Sequence, residues 1–297
     1  MKKLIALTAT DLLQPASFKK YLAALGTIAI ACYLNYYADV SLWLKKEPFH
    51  ISFAWYSILF AVFFAAGIFI EKGTGFFKYK RVQLLLIIAP VLFALKVAIP
   101  FYQLLPFAEG NPYQKIFQQP ATWFGGLILF ISSLLFLHRF TEKQNGIYGT
   151  AKTVSLQTYF LLVLMMVPLL IWASLQTDFA AVYPKAQIVA AQLGTQAKPW
   201  HYVLFETAYA ADFISIELFF RGFLIITLGK TMGRQCLLPI ALFYFSIHLG
   251  KPMMEAISSF FGGLILGAIS YNSKSIWGGL LVHVSIALLM ELFGFLF

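Results

Sequence analysis

With 297 residues, of which 60% are apolar and only 11% charged, the chain lacks the polar surface of a water-soluble domain, where about a quarter of residues carry charge. That excludes a soluble globular protein and predicts an all-α, polytopic transmembrane helix bundle, because hydrocarbon offers backbone groups no partners outside a helix or a closed barrel, and nothing here alternates like barrel strands. The formal charge of +10 falls in the loops, so it reads as membrane topology with lipids as surroundings and no nucleic-acid partner.

The opening "MKKLIALTATDLLQPASFKK" starts like a signal peptide, but its apolar core, Leu4 to Ala9, is short and Asp11 interrupts it. A short interfacial helix closed by Pro15 is expected. Nine apolar stretches then read as spans: Tyr21–Tyr37, Ile51–Ile70, Val82–Leu105, Trp123–Leu137, Leu156–Leu175, Tyr202–Leu228, Cys236–Leu249, Ala256–Ile269 and Ile276–Phe297. A span needs roughly 20 apolar residues. The fourth, seventh and eighth are short, so eight to ten segments are expected. Pro90, Pro100 and Pro168 kink or end their helices, and the longest loop runs from Gln176 to Trp200. Residues 1–195 keep their polar groups mostly in loops and read as transmembrane helices. Residues 196–297 carry acidic and imidazole side chains into the spans and read as a separate helical core.

Nine crossings with the N-terminus in the cytoplasm put Lys45, Lys46, Lys115, Lys185, Lys198 and Lys251 outside and Lys96 and Arg221 within spans. The remaining fourteen of the 22 Lys and Arg fall inside, as the positive-inside rule favours. Cys32 and Cys236 sit in apolar segments with no metal or disulfide spacing.

The run "ISIELFFRGF" at 214–223 places Glu217 and Arg221 four apart on one helix face. Charge at mid-membrane costs about 2.5–3.5 kcal/mol, so the two face the bundle interior and pair. Glu206, nearly three turns earlier, lies near that face, with Asp212 more than a third of a turn away. Next comes "FSIHLGKPMME", where His248 closes a helix, Gly250–Pro252 break it and Glu255 opens the following one; Lys251 reads as snorkelling to the interface. In the last span, His283 is followed by Glu291 on nearly the same stripe. Two imidazoles and several carboxylates on adjacent helices suit a divalent metal with an activated water, and equally a proton relay. Ser259, Gly263 and Gly267 form a small-residue ridge for close helix packing. Lys96 reads as reaching a helix end.

Glu-x-x-x-Arg-Gly, then an aromatic four residues before a histidine, then a Gly-rich helix, then a final histidine helix: in this order, over about 205–295, the chain resembles the CPBP family of CAAX prenyl proteases and bacteriocin-immunity proteins. Arg221 aligns Glu217 with the second glutamate of the family's Glu-Glu-x-x-x-Arg motif and puts Ile216 at the first. Tyr244 and His248 match Phe-x-x-x-His. His283 matches the last motif, with Ala287 where an Asn or Asp belongs. The resemblance implies an intramembrane protease acting on a membrane protein or peptide, with zinc or another divalent metal. His248 and His283, joined by Glu217 and Glu255, would be the metal ligands, or the two histidines would orient water and oxyanion. Glu217 would be the base, Arg221 its orienting partner. Asp212, Glu255 or Glu291 would stand in for the carboxylate missing at Ile216. Two further readings stay open: a non-catalytic CPBP-like immunity or scaffold protein binding a peptide or partner in the same cavity, and a proton-coupled carrier, which the lack of an internal repeat disfavours.

Overall fold

A computed structural model of the chain describes residues 15–38, 47–108, 110–140, 147–151 and 156–297. The expected interfacial helix lies outside them, apart from Pro15, which opens a helix and does not close one. The described residues are helical, without a strand: α1 (Pro15–Tyr37), α2 (Phe49–Lys72), α3 (Lys80–Ala98), α4 (Pro112–His138), α5 (Leu156–Ser174), the short α6 (Thr177–Ala180) and α7 (Gln187–Leu193), α8 (Pro199–Glu217), α9 (Ile225–Met232), α10 (Leu237–Ser246), α11 (Met253–Ser273) and α12 (Trp277–Leu296). The chain is an all-α polytopic bundle. Among the described residues, five helices are long and apolar enough to cross a membrane by themselves: α2 with the turn that follows it, α3, α4, α11 and α12.

Several boundaries differ from the sequence expectation. α4 begins eleven residues before Trp123, because the Asn111 side chain accepts a hydrogen bond from the Tyr113 N–H at 2.9 Å, with Pro112 in the first turn, a favoured N-terminal arrangement. α3 stops at Ala98, ahead of Pro100, because Pro disfavours helical backbone just before it. The segment 176–198 folds into α6, α7 and a 3₁₀ turn at Gly194–Gln196, and forms a strap across one end of the bundle.

α10 is the centre of the molecule. It packs between α2 and α11, while α8 packs between α4 and α12, and α12 lies against α5. Residues Leu238 to Ser246 are all buried. Around α10, Phe60, Phe64, Phe93, Phe130, Phe219, Phe220 and Phe243 form a continuous aromatic core joining α2, α3, α4 and the segment after α8. Other phenylalanines, such as Phe69 and Phe136, face outward, as a lipid-bathed surface requires. Lipid tails supply little hydrophobic drive between helices, so close contact holds them together. The small-residue ridge does this: a Cβ on Gly263 would meet the Tyr244 ring at 3.1 Å and Ala241 at 3.4 Å.

α10 has ten residues and rises about 15 Å, half of a hydrocarbon core of about 30 Å. Its C-terminal end carries Tyr244 and, just beyond it, His248, and brings Tyr244 against His283 of α12.

Candidate active site

Glu217 ends α8, and the next seven residues, Leu218–Leu224, wind as a π-helix before α9 resumes. Such i→i+5 turns are rare and concentrate at functional sites. Here the π segment carries Arg221 and Gly222. Glu217 and Arg221 are 0% and 1% exposed, and the guanidinium Nη1 lies 3.5 Å from Glu217 Oε1. The same oxygen lies 3.0 Å from His283 Nδ1 on α12. A Cβ on Gly279 would overlap the Glu217 carboxylate, so the glycine one turn before His283 is what lets that carboxylate reach the ring.

The direction of the hydrogen bonds follows from chemistry. A carboxylate only accepts, so His283 Nδ1 donates to Glu217. In the neutral ring Nε2 then carries the lone pair. It lies 3.0 Å from the Tyr244 hydroxyl, which donates to it. The result is a one-way relay, Tyr244 O–H to His283 to Glu217. His248 meets the other end of the same tyrosine. Its ring packs edge-on to Tyr244 with centroids 4.6 Å apart, and its Nδ1 lies 2.8 Å from the Tyr244 carbonyl. A carbonyl also only accepts, so Nδ1 holds the proton and Nε2 keeps its lone pair.

Arg221 completes the cluster. Its guanidinium carbon stands 4.3 Å from the centre of the Tyr244 ring, a cation–π contact. None of its three nitrogens has a hydrogen-bond partner among the described residues.

Glu217, Arg221 and His283 thus come together as the sequence predicts, and His248 joins them through Tyr244. The three reserve carboxylates do not. Asp212 binds Lys96 at 2.6 Å, and so Lys96 is the buried partner of an ion pair, not a residue reaching for a helix end. Glu255 binds Lys251 at 2.7 Å and accepts from the Tyr183 hydroxyl at 3.1 Å, so Lys251 is held by a carboxylate instead of snorkelling freely. Glu291 accepts the backbone N–H groups of Lys185 and Ala186, each at 3.1 Å. Glu206 faces Glu291, not Glu217. Ile216 and Ala287, where the family has polar groups, are buried in apolar clusters.

The expected metal set does not fit. Among the described residues no three His, Cys, Asp or Glu side chains cluster closely enough to hold an ion. Both nitrogens of His283 are engaged by Glu217 and Tyr244, and Glu255 is engaged elsewhere.

Sequence reasoning missed a second polar cluster, the one that ties down the strap. Besides the bonds of Tyr183 and the two backbone N–H groups, Lys185 Nζ donates to the Tyr209 hydroxyl at 2.7 Å. Burial and the nearby Lys251 ammonium push Lys185 down to about 7, with Glu255, Glu291 and Asp212 pulling the other way. Burial and the Tyr209 and Glu255 side chains raise Tyr183 well above the usual tyrosine range. The available signal was Lys185, directly after Pro184 in an Ala/Gln-rich loop.

No curated protein and no solved structure matches the chain. Residues 198–289 match the family model described as type II CAAX prenyl endopeptidase Rce1-like. That span begins with α8 and ends within α12, and so contains every member of the Glu217–His283–Tyr244–His248 cluster. By its motifs, its helical architecture and this match, the carboxyl-terminal third of the chain is similar to the Rce1-like, CAAX-protease (CPBP) family of membrane proteins.

Proposed function

We propose that the protein is an intramembrane peptidase that hydrolyses a peptide bond of a membrane-embedded protein or peptide. The observation that carries this reading is the directed chain from Tyr244 through His283 to the fully buried Glu217. A carboxylate behind an imidazole fixes the ring's tautomer and stabilises the imidazolium that forms when it takes a proton. Glu217 therefore serves as the positioning partner of His283. It is not the base itself, since it is fully buried behind the ring, with Oε1 on His283 and Oε2 enclosed beside Gly279. His248 Nε2, with its lone pair open, binds and orients the attacking water. Arg221 offsets the charge of Glu217.

In this reading the end of the bundle that carries Lys72, Lys78, Lys80, Arg81, Arg139, Lys230, Arg234 and Lys274 is cytoplasmic, together with the N-terminus, and the strap lies on the opposite side.

The test is cleavage of a panel of membrane-spanning peptides in proteoliposomes. Glu217→Gln and His283→Ala are expected to lower the rate at least ~100-fold while thermal unfolding in detergent stays cooperative. Wild-type rates in both variants would remove the reading. A wild-type protein that binds peptides but cuts none would favour the scaffold alternative.

A further inference from the structure

The family motif has a phenylalanine where this chain has Tyr244, and the extra oxygen is not idle. It is the first member of the hydrogen-bonded chain, 3.0 Å from His283 Nε2, and it occupies the one position from which His283 could otherwise meet a reactant. The tyrosine is 4% exposed, its ring is fixed between the Arg221 guanidinium at 4.3 Å and the His248 ring at 4.6 Å, and Gly263 lets α11 press against its edge. A phenol that donates its proton into a His–carboxylate pair keeps lone pairs free on its oxygen. It can therefore take up a proton as it passes its own on.

We infer that Tyr244 is a further catalytic residue, the group through which His283 deprotonates the attacking water, and that it does the work for which Ile216 has no functional group. The inference rests on the peptidase reading above. In the step, a water proton moves to Tyr244 Oη as the tyrosine proton moves to His283 Nε2. The hydroxide adds to the peptide carbonyl carbon. The C–N bond then breaks, and the proton on His283 returns through Tyr244 to the leaving amine. No oxidant, reductant or cofactor is consumed.

Two measurements test it. Tyr244→Phe, which removes one oxygen and leaves the ring over Arg221, is expected to lower kcat at least ~100-fold with KM within about twofold. An unchanged kcat overturns the inference and leaves the peptidase reading standing. The second measurement needs no turnover. A small alkylsulfonyl fluoride, which reacts with activated phenols, is expected to label Tyr244 of the wild type, as mapped by peptide mass spectrometry. The label should drop at least tenfold in His283→Ala and Glu217→Gln. No label at Tyr244, or equal labelling in all three proteins, overturns it. If the wild type cleaves nothing, the peptidase reading fails, and the labelling still decides whether the relay activates Tyr244.

Discussion

Gly279 leaves the space into which the Glu217 carboxylate fits, and this makes a small substitution a sharp probe. Gly279→Ala is expected to push the carboxylate off His283. Displacements of this size cost on the order of 100-fold in rate, and the added methyl costs about 1–3 kcal/mol of stability; cleavage assays and unfolding in detergent read the two separately. Lys96 supplies a second probe. It is 7% exposed and bound to Asp212, with Gly126 making room for its stem. Asp212→Asn strands a buried ammonium and is expected to destabilise by about 3–5 kcal/mol, whereas Lys96→Met with Asp212→Leu recovers most of the loss; unfolding of the two variants beside the wild type checks it. The sequence showed Glu217, Arg221 and His283 because ionisable groups in a membrane span are costly and must converge on something. It hid Tyr244, since tyrosine and phenylalanine look alike to hydropathy and only a neighbour 39 positions away reveals what the hydroxyl does. Glu255 and Glu291 misled for the converse reason: their partners are a lysine four residues earlier, just ahead of the helix, and two backbone N–H groups of a loop, and hydropathy announces neither.

Among elements, the strap from Gln176 to Lys198 is expected to hold more tightly as pH rises, because Lys185 is buried where it docks. Lys185 is surrounded by Tyr183 on its own segment, Tyr209, Asp212 and Glu206 on α8, Lys251 just before α11, Glu255 on α11 and Glu291 on α12. Docked, it binds a proton only up to about pH 7; released to water it does so up to about 10.4. Between those values the released strap holds more protons, so docking strengthens as pH rises through this window, by at most ~1.4 kcal/mol per pH unit. Below pH 7 Lys185 is protonated in both states and its contribution ends. Hydrogen-exchange protection factors for the strap amides should follow this slope, and Lys185→Met should flatten it. Helix existence was legible along most of the chain, because long apolar runs allow little else. Helix ends were not: the start of α4 is set by one asparagine side chain, and the π segment after Glu217 leaves no mark in hydropathy.

For the whole molecule, the alternation of helix direction sorts the charges. Lys20 and Glu71 pair at one end, where Trp277 also bonds the Thr150 carbonyl; Tyr36 meets the Lys251 carbonyl at the other. A cysteine placed at Thr195 on the strap and one placed at Arg139 should label from opposite faces of sealed vesicles with an impermeant maleimide, Arg139→Cys from the cytoplasmic face. The native Cys32 and Cys236 are buried and should stay silent. Labelling of both positions from one face would invert part of the topology. The polytopic helical class followed from the scarcity of charge; the packing order, with α10 enclosed on every side, did not, because Cys236–Leu249 reads as one short span among nine and hydropathy does not say which of them is enclosed. That short helix has a consequence for how such a molecule would use its bilayer. On the peptidase reading, solvent must come down to a client at the buried Glu217–His283 pair, since the client is not lifted out to the solvent. Longer acyl chains would then stretch the water's path while leaving a length-matched client comfortable, and turnover should slow as the lipid thickens.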